Sequence, residues 1–429
     1  MTKAKSKAGA KPAAATFRTY YTLAALVLGL TAGILAGELA PATRDAALGI
    51  ASFVGTLWLN ALKMTVIPLV VALLVVGIAK SAEAAQAGRI AGKAVMWIVI
   101  VCTGSAVFGA IAVILLTHAF PLSRHTAGLL QAALGSVEQK TSGPLPGAAE
   151  FFKGVVPPNA VAAATNGDIL PLTVFTLLFA LALTRVKSSG REIVVNFFEA
   201  TGDALIVIIG WVLAIAPLGV FALAFGVGSA AGGAAFAGLG HYIVIISAIG
   251  VLVTLAAYPL AAVFSDVRMG PFTREQVAPQ AVAISTRSSL ACLPAMLAAA
   301  RPMGVGDEVA DVTLPIAVAL YRATGPAMNT AVAFYVAHWL GLQPTIGQMI
   351  AATAVGAVMS YGAVSLPGEV SYISSIAPIA LALGVPIAPL GLLVAVEMIP
   401  DIFRTVGNVT HDIALAAIVD KSTGSRSQK

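Results

Sequence analysis

The chain has 429 residues, of which 59% are hydrophobic and only 10% are charged. A soluble globular chain carries about 25% charged residues, so the composition excludes a surface kept in water and predicts that lipid is the main solvent. The net charge of +6 does not indicate a nucleic-acid partner, because the basic residues flank apolar runs and crowd into an N-terminal tail without acids. The basic residues of this tail are Lys3, Lys5, Lys7, Lys11 and Arg18.

Apolar runs of span length fill the first two-thirds of the chain. The first run, residues 20–39, follows the basic tail of residues 1–19. It is longer than the about 7–15 residues of a signal-peptide core, which favours an uncleaved first span over the alternative of a signal peptide. By the about 20 residues that a span requires, the six predicted spans are 20–39, 47–79, 94–118, 168–186, 203–225 and 240–263.

Basic residues between the spans predict the orientation of the chain. The stretches 80–93, 185–191 and 264–276 and the tail 422–429 fall on the same side as the N-terminal tail. The positive-inside rule assigns that side to the cytoplasm. The sequence therefore predicts a multi-pass inner-membrane protein with both termini in the cytoplasm, and a long outer loop over residues 119–167.

After residue 276 the apolar segments become shorter, and Pro, Gly, Ser and Thr interrupt them. Two such broken regions cover residues 282–300 and 351–381. A pair of interrupted segments in corresponding positions is typical of transporters with re-entrant hairpins. The alternative is two kinked ordinary spans, which would expose broken backbone to hydrocarbon at a high cost.

The last apolar segment carries a polar stripe. At about 100° per residue, six polar side chains fall within an arc of about 100°. They are Glu397, Asp401, Arg404, Thr405, Asn408 and Asp412. A charge at mid-membrane costs about 2.5–3.5 kcal/mol, so the stripe should face either a polar cavity or, as an alternative, an ion-pair ladder between helices.

The chemistry of the stripe suits a small anionic solute. Arg404 could hold a carboxylate with two parallel hydrogen bonds, and Asp401 could hold an ammonium group. Asn408 offers both a donor and an acceptor. Asp412 is a candidate ligand for a hard cation such as Na⁺, and no other metal site, disulfide framework or cofactor is indicated, since Cys102 and Cys292 both have apolar or small neighbours.

These residues resemble a known family. Asp401-Ile-Phe-Arg404-Thr405-Val-Gly-Asn408-Val-Thr-His-Asp412 resembles the final-helix signature of the dicarboxylate/amino acid:cation symporters, the glutamate transporter family. Residues 286–294 look like the serine-rich tip of its first hairpin, and Leu366-Pro367-Gly368 looks like the tip of its second. Residues 157–171 and 63–69 are similar to parts of its fourth and second spans, so the resemblance runs from about residue 20 to 421.

The resemblance implies an all-α polytopic membrane protein with eight transmembrane helices and two re-entrant helical hairpins. It implies a bacterial-type homotrimer in which spans 1, 2, 4 and 5 form a fixed scaffold, while spans 3 and 6 move with a core over residues 264–421, as an elevator. In that core it places hairpin 1 at about 277–305, span 7 at about 311–338, hairpin 2 at about 345–382 and span 8 at about 388–418.

The resemblance also implies roles for individual residues. Arg404 would bind the side-chain carboxylate of the solute, Asp401 and Thr405 its amino group, and Asn408 and Ser289 its α-carboxylate. The further substrate-binding candidates are Ser288, the hairpin-tip residues Arg287, Leu366 and Gly368, and Arg322.

The chain departs from the family at the seventh span. Residues 321–325 read Tyr-Arg-Ala-Thr-Gly, where the family has Asn-Met-Asp-Gly-Thr. In the third span, Ile98, Val101 and Cys102 replace polar residues, and none of these is a good hard-cation ligand. We therefore expect sodium coupling to be weakened or absent, with the guanidinium of Arg322 replacing the charge of a bound cation.

Two other carboxylates are candidates for coupling transport to protons. Glu369 follows the second hairpin tip, where a solvated loop residue is the alternative. Glu397 could titrate or could be the buried partner of another polar group. His411 is more typical of a packing residue than of a proton relay.

The expected function is a symporter that moves acidic amino acids such as glutamate and aspartate, or C4-dicarboxylates, with Na⁺ or H⁺ as the coupling ion. A sodium-independent exchanger and an anion-conducting channel-like protein are the alternatives. No enzyme is indicated, because the sequence contains neither His-Glu-x-x-His nor Gly-x-Ser-x-Gly.

Overall fold

The computed structural model describes residues 12–86, 88–123, 125–126, 128–129, 155–361 and 368–424, and for 12–19, 86, 361 and 368–371 it describes the backbone alone. All regular elements of these residues are helical. The helices are α1 (Pro12–Leu35), α2 (Pro41–Gln86), α3 (Arg89–Ala119), α4 (Ala160–Asn166), α5 (Ile169–Leu183), α6 (Ser188–Ala214), α7 (Ala216–Ala231), α8 (Ala234–Phe264), α9 (Met269–Glu275), α10 (Val277–Thr286), α11 (Ser289–Ala300), α12 (Asp307–Leu320), α13 (Thr324–Trp339), α14 (Ile346–Tyr361), α15 (Gly368–Leu383), α16 (Ala388–Leu393) and α17 (Met398–Thr423), with a short 3₁₀ turn at Ala36–Glu38.

Within the described residues, six helices are long and apolar enough to cross a membrane. They are Tyr20–Glu38, Pro41–Ala85, Arg89–Ala119, Ser188–Ala214, Ala234–Phe264 and Met398–Thr423. This finding agrees with the predicted all-helical, multi-pass membrane protein. Most of the predicted outer loop 119–167, the start of the N-terminal tail and the tip residue Leu366 lie outside the described residues.

One predicted span is wrong in its position. The sequence predicts a span over residues 203–225, but α6 begins at Ser188 and ends at Ala214, and α7 starts afresh at Ala216. Pro217 lies in the first turn of α7, where its missing N–H costs nothing, whereas inside a continuous helix it would remove a hydrogen bond. Hydropathy averaged over a window does not detect such a break.

The helices form two groups that are joined through α2. Helix α7 packs on α1 and α2, and α6 packs on α2, which also contacts α3, α14 and α15; α17 is surrounded by α3, α8, α10, α11, α12 and α13. Close packing through small residues holds both groups, as is usual for membrane helices. A Cβ on Gly33 of α1 would lie 2.2 Å from the backbone oxygen of Phe225 in α7, and one on Gly109 of α3 would lie 2.2 Å from that of Ala327 in α13.

The second half of the chain contains helix pairs that are too short to cross a bilayer singly. Helix α10 has 10 residues and α11 has 12, against the about 20 that a span requires, and the two pack against each other. Helices α14 and α15 form a second contacting pair. These pairs lie in the two regions where the sequence predicts hairpins, and their geometry favours hairpins over kinked spans.

Candidate functional site

A buried cavity lies where four elements of the second half of the chain meet. The space between its lining atoms, including the part that is open to solvent, is about 330 Å³. The residues that line it are Arg322 and Gly325 near the break between α12 and α13, Asn329 of α13, Met359 and Ser360 of α14, Ser375 of α15, and Arg404 and Asn408 of α17. Most of this lining is polar, which is unusual inside an apolar protein and indicates a site for a polar ligand.

Arg404 is the central charge of this cavity and is only 8% exposed. Its Nη1 donates a hydrogen bond to Oδ1 of Asn329 at 2.9 Å, and its Nη2 donates to Oε1 of Glu397 and forms an ion pair with it. Arg404, which the sequence predicts to bind a carboxylate of the solute, is therefore already paired with Glu397, the residue just before its own helix.

Glu397 lies at the residue before α17 and has both carboxylate oxygens engaged. Oε1 accepts from Arg404, and Oε2 accepts from the hydroxyl of Tyr242 at 2.9 Å. The hydroxyl of Tyr242 also lies 3.1 Å from that of Tyr372 in α15. In the structure Glu397 is buried and paired with Arg404, and its role as a proton site stays a prediction.

Asp401 connects the final helix to the first hairpin. Its Oδ1 lies 3.9 Å from Nε of Arg404, and its Oδ2 lies 3.8 Å from Nη1 of Arg287. Arg287 has a φ of +50°, an uncommon left-handed conformation for a residue with a side chain. Arg287 lies at the break between α10 and α11, and its guanidinium group reaches Asp401. The sequence did not predict this contact.

Asn408 fixes the start of α13 against α17. Its Oδ1 accepts hydrogen bonds from the backbone N–H and the hydroxyl of Thr324, at 3.0 and 2.7 Å. Because the amide oxygen is used in this way, the amide nitrogen is the group of Asn408 that a ligand in the cavity would meet. Thr405 instead donates to the backbone oxygen of Asp401 at 2.9 Å.

Asp412 is fully buried, and neither of its carboxylate oxygens has a hydrogen-bond partner in the described part of the chain. Such a carboxylate requires a proton or a cation. The side chains that share its electrostatic surroundings are those of Arg322, Tyr321, Cys102 and Cys292. A carboxylate is a suitable ligand for Na⁺, and among these neighbouring side chains Tyr321 alone carries a further oxygen, so Asp412 stays a predicted Na⁺ ligand.

The structure thus brings Arg404, Asn408 and Arg322 together in the cavity. Ser288 begins α11, where its hydroxyl accepts a hydrogen bond from the N–H of Ala291 at 3.4 Å, and Ser289 follows it; neither lines the cavity. Leu366 and the side chain of Glu369 lie outside the described residues, and of Gly368 only the backbone is described, as the first residue of α15.

Sequence reasoning missed several residues of the site. Asn329 and Tyr242 lie in segments that read as ordinary spans, and the only amide of α13 was the signal for Asn329. Tyr372 and Ser375 lie in the broken region 351–381, where no single residue of α15 beyond its tip stood out. His411, in contrast, has the packing role that its neighbours indicated, because its Nε2 lies 2.8 Å from the backbone oxygen of Val253.

A multi-pass helical protein whose broken helices surround a buried, charged cavity belongs to the class of membrane solute carriers. The model of the sodium:dicarboxylate symporter family matches residues 19–422. The chain therefore belongs to the sodium:dicarboxylate symporter family, as the resemblance of its motifs predicted. This family consists of transporters, so the protein is a transporter and not an enzyme.

Curated relatives of the chain cover most of its length. It is 26% identical to the proton/sodium-glutamate symport protein of Bacillus subtilis, over 86% of each chain. It is 27% identical to the proton/glutamate-aspartate symporter of Escherichia coli, over 92% of this chain and 90% of the relative. It is 25% identical to the C4-dicarboxylate transport protein of Deinococcus deserti, over 95% and 90%.

Proposed function

We propose that the protein is a secondary active symporter that moves acidic amino acids such as glutamate and aspartate, or C4-dicarboxylates, across the bacterial inner membrane. The observation that carries this proposal is the presence of two guanidinium groups, Arg404 and Arg322, in the lining of one buried cavity. Guanidinium groups bind carboxylates with directed, charge-assisted hydrogen bonds. The names of the relatives agree with a solute of this class.

The polarity of the cavity supports a small solute. Arginine, asparagine and serine side chains make up most of its lining, which suits a small solute with several polar groups. Asp401 lies next to Arg404 and would bind an ammonium group, which favours an amino acid. The second guanidinium, Arg322, favours a dicarboxylate, so both classes belong in the experiment.

The proposed transport movement is that of one set of helices against another. Helices α1, α2, α5, α6 and α7, which cover the predicted spans 1, 2, 4 and 5, are the proposed fixed scaffold and trimer-forming part, and α3, α8 and the helices of the core 264–421 are the proposed moving part. The complete arrangement would be eight transmembrane helices and two re-entrant hairpins in a homotrimer, with both termini in the cytoplasm. The short helix pairs and the separate packing of α1 on α7 support this elevator arrangement.

Sodium coupling is weakened or absent in this proposal. Asp412 is the candidate Na⁺ ligand, but Arg322 is close enough to act on it electrostatically and would repel a cation. This observation also favours a second candidate function, a sodium-independent exchanger. Protons are the alternative coupling ion, with Glu397 and Glu369 as candidate carriers.

Radiolabelled uptake into proteoliposomes tests this function. We expect saturable uptake of aspartate, glutamate, succinate or malate and none of leucine, with similar rates in sodium and choline buffers. Liposomes without protein are the control, and liposomes preloaded with unlabelled solute distinguish exchange from net uptake. Uptake of leucine alone would contradict the substrate class, and a steep dependence on sodium would contradict the expected coupling.

A further inference from the structure

Arg404 is engaged by carboxylates of the protein before any solute enters. It forms ion pairs with Glu397 and Asp401, and Asp401 also pairs with Arg287. An entering anion must therefore displace one of these carboxylates from the guanidinium group. Because uncompensated charge is costly in such buried surroundings, an anion that displaces a carboxylate should enter together with a cation or a proton.

The surroundings of Glu397 allow it to hold a proton without breaking its hydrogen-bond network. When Glu397 is ionised, Tyr242 donates to it, and the hydroxyl of Tyr372 can donate to Tyr242. When Glu397 is protonated, it can donate to Tyr242, which then donates to Tyr372, since a tyrosine hydroxyl is both donor and acceptor. The two hydrogen bonds among these three groups can therefore reverse their direction and persist in both states of Glu397.

We propose that Glu397 is the proton carrier of this transporter and that it exchanges places with the solute on Arg404. The carboxylate of the solute takes over the Nη2 edge of Arg404 that Glu397 occupies in the empty protein. Glu397 then accepts one proton from water and returns it when the solute leaves. One negative charge and one proton enter together, so the net charge of the site does not change. This inference rests on the proposed transport of acidic solutes and assigns its coupling site.

The groups that face Glu397 come from three helices. Tyr242 of α8 and Tyr372 of α15 contribute hydroxyls, and α17 contributes Arg404 and, beyond it, Asp401. Of these groups, Arg404 is the only cation in direct contact, so moving it to a solute removes the main reason for Glu397 to stay ionised.

The other two carboxylates are less suited to this role. Asp401 lies within 4 Å of both Arg287 and Arg404, so it keeps a cationic partner when one of them turns to the solute. Asp412 has no hydrogen bond to Arg404, so its protonation would not release the guanidinium. Of these three carboxylates, Glu397 is the one that ties proton uptake directly to the availability of Arg404.

Calorimetric titration of the purified protein tests the proposal. Aspartate and succinate are the probes, and each titration is run in phosphate and in Tris, whose ionisation enthalpies differ, so that proton uptake can be measured. At pH 8 we expect the protein to take up nearly one proton for each solute that it binds. At pH 5.5 we expect it to take up almost none. The affinity should weaken by up to about tenfold per pH unit once Glu397 is ionised in the empty protein.

Substitution identifies the carrier. Glu397→Gln imitates the protonated carboxyl group, so it should bind the probes with an affinity that no longer depends on pH and without proton uptake. Glu308→Gln, at an exposed carboxylate, is the matched control and should behave like the unchanged protein. Tyr242→Phe removes a hydrogen-bond donor to the ionised carboxylate, so the affinity for the probes should begin to fall at a higher pH. A merely structural role of Tyr242 would not cause this shift.

The outcomes separate this inference from the function on which it rests. If the unchanged protein binds neither probe, the proposed function fails. If it binds a probe without proton uptake at pH 8, only the role of Glu397 fails. The role of Glu397 also fails if proton uptake persists in Glu397→Gln, or if Glu397→Gln does not fold and Tyr242→Phe leaves the pH dependence where it was.

Discussion

Glu397 and Asp412 are two buried carboxylates on one helix face, separated by about 22 Å of helix, and their surroundings are opposite. Both oxygens of Glu397 accept hydrogen bonds, from Arg404 and Tyr242. Neither oxygen of Asp412 accepts one from the described residues. In the empty protein the carboxylate of Glu397 has both oxygens hydrogen-bonded, whereas that of Asp412 requires a proton or a cation. The polar stripe thus contains one carboxylate that must leave Arg404 before it takes up a proton and one that must bind a proton or a cation.

The largest effect should follow the loss of the partner of Glu397. Arg404→Ala removes the cation that pairs with both Glu397 and Asp401, which should lower the free energy of unfolding by about 3–5 kcal/mol and abolish binding of acidic solutes. Thermal unfolding in detergent and solute titration measure the two effects. Arg301→Ala is the control, because its ion pair with Asp307 is exposed and should contribute about 0–1 kcal/mol. Unchanged solute affinity in Arg404→Ala would contradict the role of Arg404.

A change of opposite sign is expected at Asp412. Asp412→Asn keeps the shape of the side chain and removes a charge without hydrogen bonds, so in sodium-free buffer at pH 8 it should stabilise the protein by about 1–3 kcal/mol. Thermal unfolding in choline and in sodium buffer measures this effect, and the exposed Asp307→Asn is the matched control. A destabilised Asp412→Asn variant would show that Asp412 has a partner and that the contrast with Glu397 is false.

The smallest effect should come from the outer end of the Glu397 network. Tyr372→Phe removes one hydroxyl contact to Tyr242 and leaves the contact between Tyr242 and Glu397, so we expect a loss of about 0.5–1.5 kcal/mol. Tyr20→Phe, at an exposed tyrosine, should have no measurable effect. Equal stability of the two variants in thermal unfolding would mean that Tyr372 does not support the network.

Local patterns in the sequence predicted the features that depend on neighbouring residues. The stripe of α17 followed from the helical period, and the broken helix pairs followed from Pro, Gly and Ser inside apolar segments. The span predicted over residues 203–225 was wrong for a related reason, since averaged hydropathy hides the break at Ile215, which Pro217 makes favourable.

The contacts within the site depend on helices that are distant in sequence. Tyr242 and Tyr372 gave no polar signal, because a tyrosine in an apolar helix is usually a packing residue. The link from Arg287 to Asp401 arises only when the first hairpin is folded against α17. The roles given to Ser289, Thr405 and Glu369 remain predictions.

The sequence by itself determined that the chain is a membrane protein, which family it belongs to and which face of its last helix is polar. Composition, helical period and motif spacing are properties of the chain alone. The tertiary structure alone decided that Arg404 is paired with Glu397, while Asp412 accepts no hydrogen bond from the residues that the structure describes. Pairing depends on which helices pack together, and the low polarity inside that packing is what makes each paired or unpaired charge matter.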